Sequence, residues 1–489
     1  MKSRGSPFCL LLLVAAACPA TAQPFVDRSD ALGLALGGSA AAWADINQDG
    51  WPDLYCAGKV WLNQGGESFT RINAKGSGVV ADIDNDGLPD LVSFAPIAVL
   101  RNIDGERFEP VELPELPKTI SRGVAVGDYN SDGFVDLYFG GYEVWEPTTY
   151  PDLLLLNEAG RGFRLAERFP EHRARGVTAC DFDEDGDLDV YVSNYRLMPN
   201  VLRRNDGNGA FEDAAPALNA VATSEGFGGG HSIGACWGDF DNDGRFDLFA
   251  GNFAHVDSRG DQPKSRFLRN RGPGGETPFG FDDLGECGVW YQESYASPAA
   301  ADFDNDGDLD LFFTTVYATA SFNKKNHPVL FRNDTAPTTP TTPDQPAWVF
   351  TDATDGSGLE SLPPTYQAAW ADFDRDGDLD LVTAGRLFVN ESAAANHWLQ
   401  VRLVGDGEQV NTSAIGTQVR IRLPDGRTLT RQVEAGTGEG NANDLTLHFG
   451  LGGFDEPVRV EIRWPNRVTQ LLPGVAPDQV LTVRFSTAR

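Results

Sequence analysis

The chain repeats one pattern of apolar and polar positions seven times. In the sixth copy, small and apolar residues at 299–301 precede a polar stretch at 302–310, and an apolar run at 311–316 follows. Short apolar runs bounded by Asp, Asn and Gly predict β-strands joined by loops. Downstream in each copy, a Leu-x-Asn or Leu-Arg-Asn segment followed by Gly and an aromatic residue predicts a third strand, a turn and a fourth strand. Four strands in each of seven repeats predict an all-β, seven-bladed β-propeller.

The seventh repeat lacks a fourth strand of its own. Its third strand is predicted at 387–390, and the composition changes soon afterwards. The segment at 25–34, FVDRSDALGL, resembles the fourth-strand segment FTDATDGSGL at 350–359. We therefore expect the first strand of the mature chain to complete the last blade, which closes the ring without an exposed sheet edge.

The repeats stop near residue 396, and a different alternation of apolar and polar positions begins. It predicts short amphipathic strands and a small β-sandwich-like domain. The segments that carry it are 398–403, 418–423, 458–464 and 480–483. We divide the mature chain into a propeller at 23–393 and a C-terminal β domain at 394–489. The low-complexity insert at 335–346, TAPTTPTTPDQP, is expected to be an extended surface loop between strands three and four of the sixth blade.

The N-terminus predicts export. Lys2 and Arg4 precede a short apolar stretch at 10–17, and Ala20-Thr21-Ala22 forms a small-residue cleavage site, so residues 1–22 are read as a signal peptide. The sequence favours soluble export over lipidation at Cys18. No other apolar run is long enough to cross a membrane. We expect a secreted or periplasmic protein, or one at the cell surface.

Composition narrows the range of partners. The formal charge of −32 argues against nucleic acids and anionic membranes. The 54 glycines and 30 prolines suit an all-β protein with many turns. Four cysteines remain after cleavage, and either one or two disulfides or buried free thiols fit them. They are Cys56, Cys180, Cys236 and Cys287.

The polar stretch itself predicts a cation-binding loop. In the sixth copy, carboxylates fall at positions 1, 3, 5 and 9, and Gly307 at position 6 can take a sharp turn without a Cβ penalty. Oxygens from alternate residues are what a hard cation such as calcium requires. The flanks predict strands, so the loop lies between two strands and not between the helices of an EF-hand.

These features carry a family resemblance. The pattern DxDxDGxxDL followed by LxRNxGxxF resembles the FG-GAP or VCBS repeat, the unit of integrin α-subunit propellers. The C-terminal segments at 411–416 (NTSAIG), 448–452 (HFGLG) and 463–465 (RWP) are similar to the ASPIC/UnbV domain. Together they resemble the CRTAC, or cartilage-acidic-protein-like, family. That family usually continues Trp-Pro with Ser-Gly, where this chain has Asn466-Arg467, and its animal members carry an EGF-like module not found in this sequence.

The resemblance implies up to seven Ca²⁺ ions, each bound by side chains at positions 1, 3, 5 and 9 and by the carbonyl at position 7. Asn replaces Asp at position 3 in the first and third loops, which implies weaker binding there. The implied side-chain ligands are Asp45, Asn47, Asp49 and Asp53; Asp82, Asp84, Asp86 and Asp90; Asp128, Asn130, Asp132 and Asp136; Asp181, Asp183, Asp185 and Asp189; Asp239, Asp241, Asp243 and Asp247; Asp302, Asp304, Asp306 and Asp310; and Asp372, Asp374, Asp376 and Asp380.

The resulting hypothesis is an exported, calcium-binding propeller that acts as a binding or adhesion module for an extracellular protein or glycan. Two alternatives stay open, a secreted propeller enzyme acting on polysaccharide or another substrate, and a calcium-dependent lectin. A GxSxG match at 230–234 is not assigned as a nucleophile, because it leads straight into the fifth loop and not into a helix. Long loops on the face opposite the calcium loops carry candidate ligand contacts, namely Tyr142, Trp145, Tyr195, Arg196, His255, Lys264, Lys324, Lys325 and His327.

Overall fold

A computed structural model of the chain describes residues 24–144, 148–257, 260–272, 279–319, 321–335, 348–392 and 396–486. In this part of the chain the only helices are α1 (Ala215–Leu218) and a 3₁₀ turn (Ser321–Asn323). All other regular structure is β, as the repeats predict. The predicted signal peptide at 1–22 with Cys18, Trp145 and the insert from 336 to 346 lie outside the described residues.

The described repeats form seven antiparallel sheets, six of them with four strands in order from the centre outwards and the third with five, because β12 is added beside β13. The seventh sheet takes its outer strand, β1 (Phe25–Asp27), from the start of the chain. Blade one contains β2 (Ala41–Ala44), β3 (Asp53–Cys56), β4 (Lys59–Asn63) and β5 (Phe69–Asn73); blade two contains β6 (Gly78–Ala81), β7 (Asp90–Phe94), β8 (Ile97–Asn102) and β9 (Phe108–Val111); and blade three contains β10 (Ser121–Gly127), β11 (Asp136–Gly141), the added β12 (Glu143–Val144), β13 (Thr148–Asn157) and β14 (Phe163–His172). Blade four contains β15 (Ala174–Cys180), β16 (Asp189–Asn194), β17 (Val201–Asn205) and β18 (Phe211–Asp213), and blade five contains β19 (Ser232–Gly238), β20 (Asp247–Asn252), the separate hairpin β21 (Val256–Asp257) and β22 (Gly260–Asp261), β23 (Arg266–Asn270) and β24 (Phe281–Gly285). Blade six contains β25 (Tyr295–Ala301), β26 (Asp310–Thr315), β27 (Val329–Asn333) and β28 (Phe350–Asp352), and blade seven contains β29 (Ala368–Ala371), β30 (Asp380–Thr383) and β31 (Arg386–Asn390) together with β1.

The termini of the repeat region close the ring, as the sequence predicts. Strand β1 pairs antiparallel with β31, with Phe25 opposite Asn390 and Asp27 opposite Phe388. The first strand of each blade contacts the first strands of its neighbours, and β29 contacts β2. The chain is therefore a seven-bladed β-propeller with a central channel lined by seven first strands.

Residues 396–486 form two further sheets. A three-stranded sheet has the order β35-β32-β38, with β38 parallel to β32, and a four-stranded sheet has the order β34-β33-β36-β37. Buried residues from both sheets, such as Leu399, Val419 and Phe449, form a shared core, which is the predicted sandwich-like arrangement. The strands are β32 (His397–Val404), β33 (Gln418–Arg422), β34 (Thr428–Gln432), β35 (Leu447–Gly452), β36 (Val458–Arg463), β37 (Thr469–Val475) and β38 (Gln479–Arg484).

The C-terminal domain covers the propeller face that carries the acidic loops. Arg402 Nη1 lies 2.7 Å from Asp45 Oδ2 in the first loop. On the other side of the ring, Arg427 Nη1 lies 2.9 Å from Asp308 Oδ1 in the sixth loop. The sheets of the second domain therefore bury one end of the propeller, and these sheet contacts do not involve the opposite end.

The segment between β34 and β35, residues 433–446, enters the central channel, and we call it the channel loop. On the way in, Ala435 forms a backbone bridge with Val126 of β10. On the way out, Ala442 bridges Ala42 of β2, with an N–H···O distance of 2.9 Å to the carbonyl of Ala41. The pattern of apolar and polar residues at 433–446 does not predict this insertion.

Small residues on the first strands make room for the channel loop. A Cβ on Gly176 would lie 2.6 Å from the carbonyl oxygen of Gly438, and one on Gly234 would lie 2.9 Å from the Cα of Gly438. Real Cβ atoms do not approach backbone this closely. The loop reaches the far end of the channel because these positions carry glycine.

Cys56, Cys180, Cys236 and Cys287, the four cysteines among the described residues, are all buried free thiols. Of the two alternatives left open by the sequence, the structure selects this one over disulfides. Burial raises the pKa of the Cys56 thiol to about 11, so it stays protonated at neutral pH.

Candidate metal centres

Each acidic loop joins the first and second strands of its blade and is folded by its own carboxylates. In the sixth loop, the backbone N–H of Gly307 at position 6 donates to Oδ2 of Asp302 at position 1, at 3.0 Å. Gly307 has φ +96°, a conformation that residues with a Cβ rarely adopt. The same bond between positions 6 and 1 occurs in all seven loops.

The carboxylate at position 9 ties the loop to its blade. Asp310 Oδ1 accepts the backbone N–H of Asn333 in the third strand at 2.8 Å, and its Oδ2 accepts that of Phe303 at 3.1 Å. The first bond recurs in all seven blades. Position 9 therefore has a structural role that holds whether or not a cation is bound.

The asparagine of the second motif joins neighbouring blades. Asn333 Nδ2 donates to the carbonyl of Leu309 in its own loop at 3.1 Å and to that of Phe240 in the preceding loop at 3.0 Å. All seven repeats contain this pair of bonds. The sequence pattern predicts a strand and a turn around this Asn but not its bridging role. The signal was present, because the same residue recurs at the same place in every repeat.

The loops bring carboxylate oxygens together. In five loops, three carboxylates place one oxygen each within 4.8 Å of the others. The groups are Asp82, Asp84 and Asp86; Asp181, Asp183 and Asp189; Asp239, Asp241 and Asp247; Asp302, Asp304 and Asp306; and Asp372, Asp374 and Asp380. The first and third loops differ as expected from the sequence, since Asn47 and Asn130 stand at position 3 and donate to the Asp at position 5.

Several of these oxygens are buried and have no hydrogen-bond partner among the described residues. In the sixth loop they are Oδ1 of Asp302 and Oδ1 of Asp304. Equivalent oxygens occur at Asp45, Asp84, Asp181, Asp183, Asp241 and Asp374. Leaving a buried carboxylate oxygen unpaired is costly, whereas a hard divalent cation would satisfy several at once. The residues present therefore fit a metal ion, and an all-oxygen ligand set is the type that calcium takes.

The pKa values of these carboxyl groups also reflect their burial close to one another. Burial, with the nearby carboxylates adding to it, raises the pKa of Asp181 to about 8 and that of Asp304 to about 6. Burial also raises the pKa of Asp90 to about 8. With pKa values this high, Asp181 and Asp90 favour the protonated form at neutral pH, and a bound cation would favour their ionised forms.

The C-terminal domain contacts the position-1 carboxylates directly. Gln400 Nε2 donates to Asp372 Oδ2 at 2.6 Å, and the backbone N–H of Gly450 donates to Asp302 Oδ2 at 3.0 Å. The hydroxyl of Thr412 donates to a carboxylate oxygen of Asp82. The oxygens that would bind a cation and those that bind the second domain thus belong to the same side chains.

The family comparisons agree with this architecture. The FG-GAP-like repeat family matches residues 45–93, 82–139 and 172–250, and the ASPIC and UnbV family matches residues 407–489. Cartilage acidic protein 1 of mouse is 25% identical over 430 residues, covering 80% of this chain. This chain contains FG-GAP-like repeats and an ASPIC and UnbV domain, and it is homologous to cartilage acidic protein 1.

The same protein from human is also 25% identical over 430 residues, and that from Xenopus tropicalis is 25% identical over 307 residues, which cover 60% of this chain. The chain spans 61% of the mouse protein, 60% of the human protein and 42% of the frog protein. Among solved structures, BBS1N in complex with ARL6DN has a TM-score of 0.42 at 10% identity, covering 76% of this chain and 99% of that one. The exotype rhamnogalacturonan lyase YesX has a TM-score of 0.35 at 13% identity, covering 73% and 72%. These scores are too low to bear on function.

The candidate contacts on the opposite face fall into two groups. Tyr142, Tyr195, Arg196 and His255 lie around the mouth of the channel, at the far end of the first strands from the acidic loops. The rings of Tyr142 and Tyr195 are 6.4 Å apart. The others lie further out: Lys264 pairs with Glu286, His327 contacts Trp290, and Lys324 and Lys325 are exposed.

The centre of this mouth is a buried ion pair that the sequence analysis missed. Arg175 at the start of β15 is 8% exposed, and its Nη2 lies 3.0 and 2.9 Å from the two carboxylate oxygens of Glu439 in the channel loop. The rings of Tyr142, Tyr195 and Tyr366 surround the guanidinium at 5.0, 5.5 and 5.2 Å. No local motif marks these residues, because they come from five separate segments.

The GxSxG match has a packing role in this structure. Ser232 is fully buried in β19, and its hydroxyl donates to Asn252 Oδ1 at 2.6 Å. A Cβ on Gly230 would lie 2.2 Å from the same oxygen, and Gly234 abuts the channel loop. A strand follows the match where a nucleophile elbow needs a helix, which agrees with leaving Ser232 unassigned.

Within the described ranges, no helix has the length and apolar character needed to span a membrane.

Proposed function

We propose that this protein is an exported, calcium-loaded β-propeller that acts as a binding or adhesion module for an extracellular protein or glycan. The observation that supports this most is the coverage of the acidic-loop face by the C-terminal domain, through contacts such as Arg402 with Asp45. A ligand then meets the opposite face, where the long loops gather aromatic and cationic side chains. In this proposal residues 23–393 form the propeller and residues 394–489 the second domain.

Calcium is assigned to the loops as a structural ion. Positions 1, 3, 5 and 9 of the seven loops hold 26 of the 71 acidic residues, and in five of the loops grouped, unpaired oxygens support a bound cation. All 28 side chains at positions 1, 3, 5 and 9 are the proposed ligands. Neutralising this ring of charge would stabilise both the propeller and its contact with the second domain.

A ligand screen with a blocked face tests the binding proposal. The mature protein is applied to arrays of glycans and of purified extracellular proteins, with calcium and with a chelator. A polymer attached through Lys325→Cys on the opposite face should abolish binding to any positive probe. The same polymer attached through Arg71→Cys on the outer strand β5 should leave it intact.

Two outcomes would contradict the proposal: no positive probe on either array, or binding blocked equally by both labels. Binding confined to glycans and dependent on calcium would favour the lectin alternative. Turnover of a glycan on the array would favour the enzyme alternative.

Mass spectrometry of the exported protein tests cleavage of the signal peptide separately, and we expect a mature chain that begins at Gln23.

A further inference from the structure

We propose that the mouth of the channel is a binding site for an acidic glycan, built jointly by the propeller and the channel loop of the C-terminal domain. This deepens the proposed binding function and rests on it, because it names the ligand class of the same face. The site consists of Arg122, Arg173, Arg175, Arg196, Glu143 and Glu439, with Tyr142, Tyr195, Tyr317 and Tyr366 around them.

The charge of this site is opposite to that of the chain. The chain carries −32, yet four arginines meet only two glutamates in the described part of this cluster. Arg173 Nε and Arg196 Nε lie 2.7 and 2.8 Å from the two oxygens of Glu143, while Arg122 lies 3.8 Å from Glu439. The adjoining Glu293 is held by His255 and Ser321. A surplus of guanidinium groups at this mouth favours anionic ligands.

Exposure shows which groups can reach a ligand. The Arg122 side chain is 48% exposed and its guanidinium lies 5.6 Å from the Tyr142 ring. Tyr317 is 55% exposed at the rim of the same mouth. Tyrosine faces stack against sugar rings, and guanidinium groups bind carboxylates and sulfates in pairs, so this combination favours an acidic glycan over an acidic peptide.

Glu439 gives the second domain a part in this site. Its carboxylate neutralises Arg175 and its backbone N–H donates to Ser297 Oγ at 3.1 Å, which fixes the loop tip under the tyrosines. Arg175 Nε is buried and has no hydrogen-bond partner within the described residues. Because Arg175 is buried and paired with Glu439, it positions the tyrosine rings and does not itself bind the ligand.

The test uses the full mature protein in calcium and a fluorescent hexasaccharide of alternating glucuronic acid and N-acetylglucosamine. Chitohexaose is the matched neutral probe, and a hexaglutamate peptide is the matched acidic peptide. We expect anisotropy changes with the acidic hexasaccharide alone. Arg122→Gln and Tyr317→Ala should each weaken binding about tenfold, since a charged hydrogen bond or a stacking contact is removed. Arg71→Gln on the outer strand β5 should leave binding unchanged, and circular dichroism melts should confirm that all variants fold.

Equal binding of chitohexaose, preference for hexaglutamate, or binding that is unchanged in both mouth variants would overturn this inference. Each of those results would leave the proposed binding function standing, because that proposal requires some ligand on this face and not specifically an acidic glycan. Absence of any binding by the acidic hexasaccharide also overturns the inference, while the arrays described above decide the broader proposal independently.

Discussion

Asn63 Nδ2 lies 2.8 Å from the carbonyl oxygen of Phe373, and this bond joins the first blade to the last. The same amide nitrogen donates to Pro52 at 3.1 Å, and its Oδ1 accepts the N–H of Gly66 at 2.8 Å. Six more asparagines make the equivalent bridge around the ring. The propeller is therefore closed at two radii, by these asparagines near the acidic loops and by β1 pairing with β31 further out.

Truncating one bridge should destabilise the whole ring. In Asn63→Ala, two buried carbonyls and the half-buried N–H of Gly66 lose their partner, and we expect the free energy of unfolding to fall by about 3 kcal/mol. Chemical denaturation in saturating calcium measures this. Asn208→Ala is the control, because that side chain is exposed and bonds only to its neighbour Asp206, and it should change stability by less than about 0.5 kcal/mol. Equal effects of the two variants would refute the bridging role.

Calcium should raise the melting temperature. With dissociation constants near the ~10⁻⁴–10⁻³ M of extracellular modules, several sites filled in millimolar calcium should raise it by roughly 10–20 °C relative to chelator. Differential scanning calorimetry gives the answer directly. An unchanged melting temperature would show that the loops fold through their own hydrogen bonds alone.

The two loops with Asn at position 3 should bind calcium more weakly than the other five. Asn47→Asp and Asn130→Asp each supply the carboxylate that the other five loops carry at position 3, so each should convert one weak site into a tight one, with severalfold higher affinity. Native mass spectrometry during a calcium titration counts the sites. Asn208→Asp adds the same charge outside the loops and should leave the count as it was. An equal gain in calcium binding in that control would mean that the added negative charge alone causes the effect.

Cation binding and docking of the second domain should depend on each other. Gln400 donates to Asp372, so a cation that fixes this carboxylate also fixes the acceptor for the second domain. We expect chelation to speed hydrogen exchange of the amides in the channel loop at least tenfold, and Gln400→Ala to do so partly in calcium. Exposed Gln409→Ala is the matched control. Unchanged protection of the channel loop in chelator would contradict this coupling.

The glycines facing the channel loop should not tolerate a side chain. In Gly234→Ala, the new Cβ would lie 2.9 Å from the Cα of Gly438 and 3.2 Å from that of Ser297, both backbone atoms. Overpacking of this kind costs about 1–3 kcal/mol and should loosen the channel loop, which hydrogen exchange would detect. Gly38→Ala has no heavy atom within 4 Å of the new Cβ and serves as control. A channel loop protected equally in both variants would mean that it does not need this close fit.

The channel loop should also give the protein a pH dependence. Burial raises the pKa of Glu434 to about 8, so the folded protein keeps a proton that the unfolded chain releases near pH 4.5. Because the folded state binds the extra proton, this residue makes stability fall as pH rises from about 4.5 to about 8, with no further loss above. Glu434→Gln should flatten that part of the stability curve, measured by denaturation at constant calcium. A slope that persists in this variant would assign the dependence to other groups.

Most of the propeller can be predicted from short sequence motifs, because the residues that form its loops and strands are close together in the chain. The acidic loops, their glycines and the flanking strands lie within about ten residues of one another. A short motif therefore determines their hydrogen bonds, such as that from Gly307 to Asp302. Repetition then gave the blade number, and the similarity between 25–34 and 350–359 gave the ring closure that β1 and β31 make. The ligand positions in the loops follow from the same motif and stay a prediction until an ion is measured.

By itself, then, the sequence determined the seven blades, their closure, the acidic loops and the strands of a second β domain. Only the tertiary structure decided that this domain covers the acidic loops and sends a loop through the channel. The reason is physical: Arg175 and Glu439 are 264 residues apart, and neither has a local pattern that demands the other. Their pairing depends on how two folded surfaces fit, with glycines at 176 and 234 leaving the space, and such complementarity exists only once both domains are formed.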